Sequence, residues 1–177
     1  MRAGNLRLAG IVRESLVDGP GMRFVIFTQG CPHHCVGCHN PATHDPSGGY
    51  SVDTESVFQQ ILQTRLIRGV TFSGGEPFLQ AEALAPLAER IRSVGLNIVA
   101  YSGFLYEELR EKARKQPAIG RLLNSVDLLV DGPYRHEERD LQLAFRGSRN
   151  QRLIDVQQSL AAGKVVLWSD MSGRLGA

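Results

Sequence analysis

Arg23-Phe24-Val25-Ile26-Phe27-Thr28-Gln29-Gly30-Cys31-Pro32-His33-His34-Cys35-Val36-Gly37-Cys38 is the stretch that decides how this chain folds and works. Residues Phe24 to Thr28 are β-branched or aromatic and read as a strand. That strand runs straight into a loop holding all 3 cysteines of the chain, spaced as Cys-x3-Cys-x2-Cys. Cubane iron–sulfur clusters usually take four thiolates, so a set of three leaves one iron open to a substrate or cofactor. His33, His34, His39 and His44 lie close by, so three thiolates and one imidazole could instead hold zinc tetrahedrally. Structural zinc sites usually pair two short ligand knuckles, whereas these cysteines share one continuous loop.

Downstream, strand and helix patterns alternate. Val57 and Ile61 share a face of a helix from Thr54 to Arg65 that Asp53 or Thr54 can cap. Val70-Thr71-Phe72 forms a short strand ending in Ser73-Gly74-Gly75-Glu76-Pro77. Leu84, Leu87, Ala88, Ile91 and Val94 follow helical spacing up to Gly95, with Pro86 expected near the first turn. A strand at Leu96 to Tyr101, a helix from Phe104 to Lys115 and a shorter one near Ile119 to Leu123 come next. Asp127 to Asp131 reads as a buried strand ending at Gly132-Pro133. Arg152 to Ile154, a short helix and a strand at Lys164 to Trp168 complete the order, with Trp168 serving packing. Pro41, Pro46, Gly48 and Gly49 keep the segment after the cysteines irregular.

Such alternation implies an α/β fold with a parallel sheet. A full eight-unit barrel typically needs about 250 residues, and this chain has 177. An open partial (βα) barrel or curved sheet is therefore expected, truncated relative to the eight-unit form. We expect one domain over 1–177, with the cysteine loop at 31–38 and a short C-terminal extension past roughly residue 150. Cys31 to Cys38, Gly74 to Glu76, Ser102 and Asp131 all follow strand ends, the ligand-binding edge of such folds.

Bulk properties narrow the functional classes. An apolar content of 42% argues against disorder. A net charge of +2 is too small for a nucleic-acid-binding face. Arg110, Lys112, Arg114 and Lys115 are interleaved with Glu107, Glu108 and Glu111, as on a solvated helix. Met1 to Leu8 lacks the apolar core of a secretion signal, and no segment has the roughly 20 apolar residues that span a bilayer. An odd, clustered cysteine set suits a reducing cytoplasm. No membrane or nucleic-acid partner is expected.

Cys-x3-Cys-x2-Cys followed one βα unit later by a strand-terminal Gly-Gly-Glu-Pro resembles the radical S-adenosylmethionine (SAM) superfamily. Within it, Asp18-Gly19-Pro20-Gly21-Met22-Arg23, Gly30-Cys31 through Cys38-His39-Asn40, Val130-Asp131-Gly132-Pro133-Tyr134 and Phe145-Arg146-Gly147-Ser148-Arg149-Asn150-Gln151 resemble the anaerobic ribonucleoside-triphosphate reductase activating proteins. The resemblance implies a barrel of radical SAM type and a 4Fe–4S cluster on Cys31, Cys35 and Cys38, with SAM chelated at the fourth iron. One-electron cleavage would give methionine and a 5′-deoxyadenosyl radical, which takes hydrogen from a glycine of the partner reductase. A low-potential donor such as flavodoxin would supply the electron.

Carried over by position, Gly74, Gly75 and Glu76 would meet the methionine amino end of SAM. Gly37, Cys38 and His39 would line its adenine side. Many superfamily members have an aromatic residue where Gly37 stands, so the aromatic contact shifts to His39, which reads equally as an ordinary loop residue. Ser102 would touch carboxylate or ribose, or cap a turn; Asp131 would bind ribose or a cation, or begin a turn. Arg146, Arg149 and Arg152 would contact the SAM carboxylate, dock the reductase or remain solvated. His136, Glu137 and Glu138 read as a solvated stretch with no acid–base task. Competing functions are a radical SAM enzyme for another glycyl-radical protein or a small molecule, and a zinc-stabilised, non-catalytic interaction module.

Overall fold

The structure, a computed structural model, describes residues 4–169. The outermost residues of the expected 1–177 domain, 1–3 and 170–177, lie outside the described residues. One seven-stranded sheet has the order β3-β1-β2-β4-β5-β6-β7. Its parallel centre is β2 (Arg23–Thr28), β4 (Gly69–Gly74), β5 (Asn97–Ser102) and β6 (Leu128–Asp131). The flanks differ from the all-parallel expectation. β1 (Asn5–Ser15), β3 (Tyr50–Asp53) and β7 (Arg152–Asp155) all pair antiparallel.

Because the central strands follow one another in chain order, right-handed crossovers place their helices on one face. These are α1 (Thr54–Gln63), α2 (Ala81–Ser93), α3 (Tyr106–Lys115) and α4 (Pro117–Ser125), with α5 (Val156–Ala162) after β7. The strand side chains alternate accordingly. Phe24, Ile26, Val70, Phe72, Ile98 and Ala100 join the main core with Leu84, Leu87, Ile91, Leu109 and Leu122. Val99 and Leu128 point the other way, packing with Tyr101, Leu153 and Trp168. A single helical layer on an open sheet is the arrangement of an incomplete (βα) barrel.

The helix-free face is stitched by Arg23, which is 0% exposed. Its guanidinium donates to Thr71 Oγ1 (2.8 Å), the carbonyls of Pro20 (3.1 Å), Val70 (2.7 Å) and Asn97 (3.2 Å), and Asn97 Oδ1 (2.7 Å). Burial pulls its pKa down to about 10, opposed by the charges of Asp127 and Tyr101. The bond to Pro20 holds the 16–22 loop against this face.

Local signals explain most boundaries. Asp53 caps α1 by accepting from Ser56 N–H at 3.1 Å, and Gly95, at φ +83°, ends α2. Pro86 is a correction: it lies inside α2, past the first turn. It is half-buried, while Leu84, Ala85, Leu87 and Ala88 bury the helix face around it. That burial outweighs one missing backbone bond. The segment after the cysteines is less irregular than expected, with a short 3-10 turn at Pro41–Thr43 and strand β3. Lys164 to Trp168 forms no strand; only a bridge between Ile154 and Leu167 is present.

Candidate metal and cofactor site

The parallel centre delivers its strand ends to one edge, and the expected groups gather there. A cavity of about 360 Å³ is lined by Cys31, Cys35, Cys38, His39, Gly74, Gly75 and Ser102. Phe27, Ser73 and Tyr101 form its floor from the helix-free face, and Tyr134 and Arg146 close one side. Val17 and Asp18 reach it from the loop that Arg23 anchors.

The cysteine loop is shaped by its own turns. Cys38 N–H donates to Cys35 O at 3.1 Å, and Asn40 N–H donates to Cys38 Sγ at 3.4 Å. Gly37 has φ +72°, and a Cβ there would come within 2.7 Å of His136 Nδ1. The positive φ, more than the exposed and movable His136 ring, disfavours any larger side chain at this position. His39 packs its ring 5.1 Å from that of Tyr134. All three thiols are free and half-buried. Burial pushes the Cys31 thiol up; a backbone hydrogen bond at His33 opposes this, while Glu76, Cys35 and Cys38 add to it.

The glycine pair is demanded by a neighbouring strand. A Cβ on Gly75 would stand 2.3 Å from Gly30 O, and one on Gly74 would stand 2.7 Å from Phe27 Cα. Gly75 N–H donates to Thr28 O and Glu76 N–H to Gly30 O, both at 2.8 Å. The close approach is thus to the backbone leading into the cysteines, while both glycines still face the cavity.

Two expected ligand residues turn inward. Glu76 is 0% exposed, and its oxygens accept from Phe78 and Gly103 N–H, Ser102 Oγ and His33 Nε2. Asp131, also 0% exposed, accepts from Tyr106 N–H at 2.8 Å and from Arg152 at 2.5 and 3.0 Å. Arg152 is further bridged to Glu107 at 2.7 Å, and these bonds, that to Asp131 first, raise its pKa. Ser102 lines the cavity but spends its hydroxyl on Glu76 and on Phe104 N–H.

Of the three arginines left open by sequence, only Arg146 lines the cavity. It donates to Gln151 O at 3.1 Å, and its Nε is buried without a partner. Arg149 is exposed, 3.9 Å from Asp140. The exposed basic residues of α3 include Arg114, paired with Glu111, as expected of a solvated face. Tyr134 and Asp18 line the site although sequence reasoning gave them no role there, and His33, read only as a candidate zinc ligand, lines it as well. For His33, its place between two cysteines was the available signal.

Among the described residues, no three His, Cys, Asp or Glu side chains form a set around one ion. A cubane does not require such a set, because each thiolate binds a different iron. The donor chemistry fits that group: three free thiols border one cavity, and one sulfur already accepts a backbone N–H.

Residues 17–154 match the model of the 4Fe-4S single cluster domain family. The anaerobic ribonucleoside-triphosphate reductase-activating protein of Haemophilus influenzae is 32% identical over 144 residues, 77% of this chain and 89% of that protein. The chain belongs to the radical SAM activating-protein family. The pyruvate formate-lyase 1-activating enzyme of Escherichia coli is 33% identical over 159 residues, 86% of this chain and 61% of that enzyme. A solved structure, QueE from Escherichia coli, overlaps 56% of this chain and 52% of its own at TM-score 0.45 and 19% identity, too loosely to bear on activity.

As a radical SAM activating protein, the chain is an enzyme whose cofactors are a 4Fe–4S cluster and SAM. Iron–sulfur ligation, not zinc, is what the family uses. Among the described residues no helix is long and apolar enough to cross a membrane.

Proposed function

We propose that this chain installs a glycyl radical on an anaerobic ribonucleoside-triphosphate reductase, in the cytoplasm, using a low-potential donor of flavodoxin type. Cys31, Cys35 and Cys38 hold the cluster and SAM occupies the cavity beside it. When bound, these cofactors supply reductive sulfonium cleavage and hydrogen-atom abstraction. The chain's own residues bind, orient and enclose. Backbone at Gly74 and Gly75 receives the amino-acid end of SAM; Cys38 and His39 line its adenine side, and Gly37, outside the cavity lining, shapes the turn that presents them. Arg146 offers its unpartnered Nε to the carboxylate. Ser102 shapes that wall through Glu76, while Asp131 acts on the fold beneath it.

The observation that carries this reading is the convergence of all three cysteines and the glycine pair on one cavity. Val36, between the second and third cysteines, is 80% exposed, so the cluster loop is within reach of a macromolecular substrate. The likeness to a pyruvate formate-lyase 1-activating enzyme motivates a second reading, activation of another glycyl-radical enzyme. Anaerobically reconstituted protein, dithionite and SAM should yield methionine, 5′-deoxyadenosine and, with the reductase added, a glycyl-radical resonance. SAM cleavage without that resonance on the reductase, but with it on pyruvate formate-lyase, would favour the second reading.

A further inference from the structure

Glu76 is held by four donor groups and holds the cysteine loop in return. Oε1 accepts from Phe78 N–H and Ser102 Oγ, both at 3.1 Å. Oε2 accepts from Gly103 N–H at 2.9 Å and from Ser102 Oγ and His33 Nε2, both at 3.0 Å. His33 lies between Cys31 and Cys35, with a side chain only 15% exposed. Its ring stands edge-on to Phe104 at 4.5 Å and so close to Gly103 that a Cβ there would come within 2.3 Å of it. The backbone of Glu76 also donates to Gly30, the residue before Cys31. The cysteine loop is therefore fastened to β4 by a backbone bond at its entry and a side-chain bond within it.

We propose that Glu76 and His33 form a clamp that sets the conformation of residues 31–38 before any cofactor arrives. Both are positioning residues, and Glu76 does not itself bind the ammonium of SAM; this role presupposes the cluster site proposed above. Two physical reasons support it. A carboxylate with 0% exposure and both oxygens in use cannot turn to a ligand without stranding buried donors. The loop also contains His34 at φ +45°, a backbone conformation that persists only where its surroundings impose it.

The test compares Glu76→Gln, His33→Ala, their double variant and His33→Gln, whose amide can still donate to the carboxylate. In the metal-free chain, amide hydrogen exchange across 31–38 should rise about tenfold in each of the first two. The double variant should exceed neither, since the pair acts as one unit. His33→Gln should restore slow exchange, and amides of α2 should not change. In reconstituted protein, Glu76→Gln and His33→Ala should weaken SAM binding by the same factor. Loss of SAM affinity of about tenfold in Glu76→Gln alone, with wild-type exchange over 31–38, makes Glu76 a ligand and overturns the clamp. If Glu76→Gln does not fold, wild-type exchange in His33→Ala overturns it equally. Failure of the wild-type chain to take up iron and sulfide would instead remove the cluster site, a result separate from exchange in the metal-free chain.

Discussion

Glu76, two residues past the end of β4, and Asp131, the last residue of β6, are both acids at the same edge of the sheet and both 0% exposed. What separates them is where their donors come from. Glu76 draws His33 from the cysteine loop and Gly103 from the turn after β5. Asp131 draws Tyr106 N–H from the start of α3 and Arg152 from β7. A strand-terminal acid thus acts on the site or on the scaffold according to its partners, not its motif. Damage at Glu76 should be local to the cysteine loop, and damage at Asp131 should be global.

The largest expected effect is on the scaffold side. Asp131→Ala removes the acceptor for Tyr106 N–H at the start of α3 and leaves Arg152 with Glu107 as its remaining carboxylate. It should cost about 2–4 kcal/mol, short of the full penalty for a broken buried pair, because Arg152 is 31% exposed. Urea unfolding should show this as a shift of the whole transition; a change confined to SAM binding would erase the distinction from Glu76. Next is Gly75→Ala, whose Cβ would meet Gly30 O at 2.3 Å. Prying β4 from the cysteine loop should cost about 1–3 kcal/mol and lower iron content after reconstitution. Gly10→Ala, with nothing within 4 Å, is the neutral control.

Arg146→Ala sharpens the contrast from the ligand side. It should raise the SAM dissociation constant about tenfold and cost only about 1 kcal/mol of stability, for the lost bond to Gln151 O. Equilibrium dialysis and urea unfolding measure the two quantities, and unchanged affinity would remove Arg146 from the ligand set. The smallest effect belongs to Glu107, whose carboxyl is held below its ordinary 4.5 chiefly by hydrogen bonding to Arg152. A depressed folded-state pKa gives stability that is present above the unfolded value and lost as pH falls through the folded one. Glu107→Gln should remove that part of the acid-side loss, read from unfolding midpoints between pH 5 and pH 3.

The central strands were legible because Val25-Ile26-Phe27, Val70-Thr71-Phe72 and Leu128-Leu129-Val130 are concentrated apolar or β-branched runs. β1 was not, although Leu6 and Leu8 alternate with Asn5 and Arg7. Its pairing with β2 slips between Leu8 and Gly10 and again between Val12 and Ser15, which breaks the period. Half-exposed β3 exists through its ladder with Asn5 to Leu8 and carries little signal of its own. At the site, spacing was enough to bring the cysteines and glycines to one cavity. The inward turn of Glu76 was invisible, since its donors at His33 and Ser102 are 43 and 26 residues away. No local pattern reports such a long-range partner.

Electron paramagnetic resonance of the dithionite-reduced, reconstituted protein, with and without SAM, tests the cluster site most directly. The cysteine triad predicts a 4Fe–4S signal that changes when SAM is added and that is lost in Cys35→Ala, whose α/β core stays folded. A signal indifferent to SAM, or one unchanged in Cys35→Ala, would contradict it.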